Sequence, residues 1–161
     1  MKKNIFSFIM GLICTIVAVS PFDLEASSHE KTLGIGGGVA TYNQSGYGKL
    51  YFQYSFIPIV RISPEIGYVF PHKDFSGFEA SVDVHFPFRI AKGLKFYPLV
   101  GLTCDNWRHK EGDNFSRAGF NFGGGFDLYF TQSLKLSLQG KYSAVKDCGG
   151  GFFDLGIGYV F

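Results

Sequence analysis

Ser81, Asp83 and His85 stand at alternate positions of one short stretch. Serine, acid and histidine are the residue types of a hydrolytic relay, in which the histidine takes the serine proton and the acid orients the histidine. Alternate residues of an extended strand lie about 6.6–6.8 Å apart on one face, so a direct relay here needs unusual side-chain reach. A buried, charge-paired network is the commoner reason for such residues to share a face. Other chemistry is sparse. Gly34-Ile35-Gly36-Gly37-Gly38 lacks the following helix that a phosphate cradle needs. His29, His72, His85 and His109 are scattered without metal-ligand spacing, so no metal and no cofactor is expected. Asn43-Gln44-Ser45 and Asn114-Phe115-Ser116 match glycosylation acceptors only by pattern. Cys104 and Cys148 could pair in an oxidising compartment.

The elements that carry these residues read as strands. From Gly77 to Phe88, apolar side chains (Phe78, Ala80, Val82, Val84, Phe86, Phe88) alternate with Glu79, Ser81, Asp83 and His85. A strand sends successive side chains to opposite faces. One face is thus too apolar, and the other too charged, for an ordinary core strand. Lipid on one side and a polar interior on the other account for both. The pattern predicts eight strands, at 31–42, 48–57, 60–70, 77–88, 94–106, 117–130, 134–145 and 152–161. Leu99 is an inward exception on the fifth. Gly34, Gly36 and Gly38 leave one face of the first nearly bare, which makes room for long side chains from the opposite wall. The break between the second and third strands rests on Pro58 alone, since apolar parity is the same on both sides of it. A single strand over 48–70 would far exceed the ~9–11 residues that a spanning strand needs.

The N-terminus reads as a signal peptide. Met1-Lys2-Lys3 precedes an apolar run from Ile5 to Val19, too short to span a bilayer comfortably. Cleavage is expected between Ser20 and Ala26, with Leu24-Glu25-Ala26 preferred. Residues 1–26 are then leader and 27–161 one domain. A net charge of +2 offers no electrostatic case for nucleic acid. Among the 161 residues, 19 Phe and 9 Tyr stand beside a single Trp, a load suited to a lipid-facing wall with interfacial aromatic belts.

Connections are short at 58–59, 89–93 and 131–133, and longer at 43–47, 71–76, 107–116 and 146–151. Short periplasmic turns and longer outside loops are usual in membrane barrels, and an even strand number puts both termini on one side. Parity sends Lys49, Arg61, Lys95, Arg117, Lys135 and Lys141 inward, with Glu65, Glu79, Asp83, Asp105, Asp127, Asp154 and His85. Six cations against six carboxylates favour a packed ion network over a water-filled pore. Eight strands enclose an interior that side chains can fill. A soluble barrel such as a lipocalin would invert the pattern; the large aromatic face favours the membrane version. The expected fold is an all-β, eight-stranded, antiparallel, up-and-down transmembrane β-barrel.

The chain resembles the small eight-stranded outer-membrane barrels of Gram-negative bacteria, the OmpA transmembrane-domain and OmpX type, over its whole length after the leader. Phe153, Leu155, Ile157, Tyr159 and Phe161 resemble the terminal β-signal read by the barrel-assembly machinery. Phe120-Asn121-Phe122-Gly123-Gly124-Gly125-Phe126-Asp127 and Tyr97-Pro98-Leu99-Val100-Gly101 resemble strand phrases of this superfamily. The resemblance implies a monomer in outer-membrane lipid and lipopolysaccharide, both termini periplasmic, acting as a structural or surface-interaction module. Trp107, Arg108, His109 and Lys110 would then be exterior loop contacts, touching lipopolysaccharide phosphates. A disulfide between Cys104 and Cys148 would tie the last loop across the mouth. A narrow pore for small solutes is the second reading. Some related barrels modify lipid A, but Val84-His85-Phe86-Pro87 does not match the His-x-Ser signature of the deacylase type, so no enzyme is expected.

Overall fold

The computed structural model describes residues 29–42, 44–72, 75–109, 115–146 and 149–161. The leader and its cleavage site lie outside these, as do Lys110 and Cys148. Nine strands follow in chain order: β1 (Lys31–Ala40), β2 (Ser45–Ile57), β3 (Val60–His72), β4 (Phe75–His85), β5 (Phe88–Ala91), β6 (Leu94–His109), β7 (Phe115–Tyr129), β8 (Leu134–Val145) and β9 (Gly150–Val160). Chain neighbours pair antiparallel except β4 and β5, which both pair with β6, and β1 pairs with β9, so the sheet closes on itself. Closure removes the edges whose backbone groups lipid could not satisfy.

β4 and β5 are two pieces of one wall. His85 faces Leu99 and Phe88 faces Phe96, which is one unbroken register on β6. Phe86 N–H still reaches the Pro98 carbonyl at 3.0 Å. Pro98, opposite Phe86 in this register, has no N–H to return, so the ladder is interrupted there for want of a donor. The single strand expected over 77–88 is therefore interrupted at its end and resumes past 88, and the barrel remains eight-stranded.

The doubtful break near Pro58 is a turn with a β-bulge. Ser55 faces Arg61 but Ile57 faces Val60, a one-residue shift. Outward parity is even on both strands, whereas a plain two-residue turn would join odd to even. One extra residue reconciles them, and Phe56 and Ile57 consequently both lie exposed.

Outside, the wall is apolar: Ile35, Leu50, Ile66, Phe78, Leu102, Phe120, Leu138 and Ile157 are all about half exposed or more. Inside, aromatic rings lie over glycines. Tyr51 faces Gly34, Tyr97 faces Gly125 and Trp107 faces Gly77 across neighbouring strands. A Cβ on Gly34 or Gly125 would collide with the tyrosine opposite, and one on Gly77 would meet the Trp107 ring at 2.9 Å. The bare stretch of β1 is thus the seat of a ring as well as clearance for the Lys49 stem, which passes Gly36.

Candidate functional site

The barrel interior holds two charge clusters. The first is nearer the termini and the short turns. Arg61 Nη1 donates to Asp127 Oδ2 at 2.6 Å, and Ser137 Oγ donates to Asp127 Oδ1 at 2.6 Å. Lys135 Nζ donates to Gln53 Oε1 at 2.7 Å and stands 3.8 Å from Asp127 and 3.5 Å from Glu30. Lys95 Nζ lies 3.5 Å from the other Glu30 oxygen and donates to Tyr129 OH at 3.2 Å; that hydroxyl in turn donates to Glu30 at 2.7 Å. Three cations therefore share two carboxylates, with cation–π faces added by Tyr97 under Arg61 at 4.8 Å and Tyr129 under Lys95 at 4.5 Å.

The second cluster is nearer the longer loops. Lys49 Nζ meets Glu65 at 3.2 Å and Asp154 at 3.0 Å. Lys141 Nζ meets Glu79 at 2.7 Å, Glu65 at 3.1 Å and Asp83 at 3.5 Å. Asp83 accepts from Asn121 Nδ2 at 2.9 Å, and Asn121 is itself held by Ser143 Oγ at 2.7 Å. Tyr47 OH donates to Glu79 at 2.9 Å. Asp105 faces Glu79 directly across β4 and β6 and accepts from Thr103 Oγ1 at 2.8 Å. Two ammonium groups serve four carboxylates, with Asp105 beside them.

His85 sits between the clusters, fully buried and stacked on Tyr97 at 4.6 Å with rings 9° apart. Arg61 Nη2 lies 3.0 Å from its Nδ1. A guanidinium only donates, so Nδ1 accepts and the ring proton stays on Nε2, which has no partner. Ser81 Oγ accepts from Lys141 at 3.2 Å. The serine is held by an ammonium, not by a base, so Ser81, Asp83 and His85 form no hydrolytic relay. Glu65, Asp83 and His85 do bring ligand atoms within 4.8 Å of one another. They do not suit a metal, because Nε2 keeps its hydrogen and the Lys141 ammonium already faces both carboxylates. A metal-bound histidine instead donates from its other nitrogen to an acceptor.

Three expectations need correcting. Arg117 is exposed at the loop end of β7, so its inward parity does not put it in the buried network. Trp107 is not a loop contact: β6 runs on to His109, and the indole is buried over Gly77, 5.0 Å from the Tyr42 ring. Cys104 is a free thiol on the outer wall, 3.6 Å from Ser116 Oγ, and does not lie across the mouth. Arg108 and His109 end β6. The equal count of charges also changes. With Arg117 out and Glu30 in, five cations face seven carboxylates among the described residues.

The parity count misses Glu30 because it precedes the first alternating pair. It joins the barrel through the Ser55 amide, which donates to the Glu30 carbonyl at 2.9 Å, and the His29 amide, which donates to Ser55 at 2.8 Å. Burial alone would push its carboxyl up, but Lys135, Lys95 and the Tyr129 hydroxyl outweigh that and hold it below the usual range. The uncharged members, Gln53, Asn121, Ser137 and Ser143, share the charged parity and were findable by it; their partners were not.

No protein-family model matches the sequence, and no curated protein is similar to it. Solved structures do match. The N-terminal β-barrel domain of OprF from Pseudomonas aeruginosa superposes with a TM-score of 0.72 at 19% identity, over 83% of this chain and 98% of that one. Ail, the attachment invasion locus protein of Yersinia pestis, gives 0.62 at 19% identity, over 84% of this chain and 100% of that one. Neisserial surface protein A gives 0.61 at 14% identity, over 82% and 95%. With a closed eight-stranded wall, an apolar outside and a charged inside, the chain has the fold of the small outer-membrane β-barrels.

Proposed function

We propose that the protein is an integral outer-membrane barrel that serves as a structural or surface-interaction module and does not conduct. One observation carries the reading: the interior is occupied by side chains bonded across the bore, Lys135 to Gln53, Lys141 to Glu65 and Glu79, Arg61 to Asp127. The gap beside Glu79 and Trp107 has no room for a water molecule. Charged groups so placed hold one another and leave no lined path for a hydrated ion. In this reading both termini are periplasmic, the longer loops face outward, and Arg108, His109 and Lys110 border lipopolysaccharide. The barrel is a monomer with no nucleic-acid partner and no catalytic role. The outward row Phe153, Leu155, Ile157, Tyr159 and Phe161, each more than half exposed, is presented to the assembly machinery.

The test is single-channel recording of refolded protein in a planar bilayer, with insertion verified by protease protection. Silence is expected. Steady ion-selective steps would replace this reading with a narrow pore. Deleting Phe161 should lower outer-membrane yield in cells while leaving refolding in detergent intact; normal yield would remove the assembly role from that row.

A further inference from the structure

Two cavities lie one above the other on the outer wall. The upper is a pocket of about 440 Å³ lined by Tyr68, Ser76, Gly77, Phe78 and Asn106. The lower is a trough of about 520 Å³ whose walls include Leu33, Leu50, Phe52, Ile66, Ala80 and Cys104. They share β3, β4 and β6. Tyr68, Phe78 and Asn106 stand in one register row, and Ile66, Ala80 and Cys104 form the next outward row toward the turns. The small side chains of Ala80 and Cys104 sink the trough directly beneath Phe78 and Asn106. The trough crosses β1, β2, β3, β4 and β6, and at ~4.8 Å between strands it runs about 19 Å, room for an acyl chain.

Depth sorts the two cavities by polarity. Along β6 the outward side chains are apolar from Leu94 to Leu102, a stretch matching the ~9–11 residues that span hydrocarbon. Asn106 therefore stands at headgroup level, with Ser116 directly across on β7 and Ser76 nearby on β4. The upper pocket offers the Tyr68 and Ser76 hydroxyls, the Asn106 carboxamide and the Tyr68 and Phe78 rings, and no charged side chain among the described residues. Hydroxyls and a carboxamide both donate and accept, as sugar hydroxyls require, and ring faces suit the C–H face of a sugar. An ammonium-headed lipid would need a carboxylate here instead. Arg108, directly across from Ser76, is one step nearer the loops.

We propose that this wall binds one molecule of a phosphorylated glycolipid of the lipopolysaccharide class, with a headgroup sugar in the upper pocket and an acyl chain in the trough. The proposal rests on the loop-outward placement, which turns the pocket toward the leaflet that carries saccharide-headed lipid.

The test is native mass spectrometry of the folded protein in a neutral detergent, with deep-rough lipopolysaccharide, phosphatidylethanolamine or phosphatidylglycerol at equal concentration. One lipopolysaccharide should stay bound, and neither phospholipid. Ala80→Phe fills the trough and should abolish retention. Asn106→Leu removes the carboxamide and should lower retention about fivefold, while Leu138→Phe, on β8 across the barrel, should leave it unchanged. All three side chains point away from the bore, so the interior network is untouched. Equal retention of phosphatidylglycerol, no retention by protein verified as folded, or retention unchanged in both Ala80→Phe and Asn106→Leu would each overturn the site. A conducting barrel that holds the glycolipid would overturn only the proposed closure; a silent one that holds none would overturn only this site.

Discussion

The turn-side and loop-side halves of the interior are built from the same residue types and solve the same problem differently. Near the turns, Arg61, Lys95 and Lys135 surround Asp127 and Glu30, and two tyrosine rings cover the cations. Near the loops, Lys49 and Lys141 are spread over four carboxylates, and Asp105 presses against Glu79 with an oxygen unserved. The first half has one more cation than carboxylate, and Arg61 Nε meets no acceptor, but each of its charges has opposite charge at hand. The second carries an excess of one sign. A well-paired buried network rigidifies a core, whereas an unpaired polar group buried in one is costly. The two halves are thus separate regions of one bore.

The sharpest way to break this contrast is to remove a turn-side partner. Arg61→Ala strips Asp127 of its guanidinium and should destabilise the barrel by about 3–5 kcal/mol, read as the urea midpoint in detergent or lipid. A midpoint unchanged from the parent protein would show that Asp127 is not held by this pair. Next comes the glycine seat beneath Tyr97. Gly125→Ala puts a methyl against the Tyr97 ring and the Leu138 carbonyl and should cost about 1–3 kcal/mol through overpacking; the double variant Gly125→Ala, Tyr97→Phe should recover only part of that loss, because the hydroxyl is the nearest side-chain atom while the Leu138 carbonyl stays in place.

The loop side should respond with the opposite sign. Asp105→Asn relieves repulsion with Glu79, directly opposite, and should raise stability by up to about 1 kcal/mol, while Asp127→Asn lowers it. Equal losses in the two variants would erase the distinction between the halves. The smallest effect belongs to Glu30. Its carboxyl is held below the ordinary value of 4.5, against the upward push of burial, by Lys135, Lys95 and Tyr129. Its contribution is fully present above that value and fades as pH falls through the depressed one. Glu30→Gln should therefore flatten the acid limb of the stability profile and leave the limb above neutrality alone; an unaltered acid limb would place Glu30 outside the network.

Much of this was legible in the chain. Alternation located all eight walls, since side-chain parity is local to a strand. It also placed Lys49, Glu65, Asp83, Lys135 and Lys141 on one face. It failed at the rims, where inward parity no longer means burial: Arg117 keeps the parity of Asp127 yet emerges at the mouth, while Trp107 turns inward because β6 runs further than its apolar pattern suggested. Glu30 was missed for a related reason, as backbone pairing with Ser55, not alternation, brings it to the bore. Cys104 shares the even parity of Leu102, which already directed it outward; only the chemistry of two cysteines argued otherwise.

By itself the sequence determined the architecture of this protein: eight strands, an apolar outside, a charged inside and a closed wall, because each follows from period-two patterning and from the need to satisfy every backbone group in lipid. Only the tertiary structure decided which charges meet. Lys141 reaches Glu65 across 76 positions and Arg61 reaches Asp127 across 66, and those encounters depend on strand tilt and stagger around the closed barrel. Stagger is a property of the whole ring, which no single strand contains.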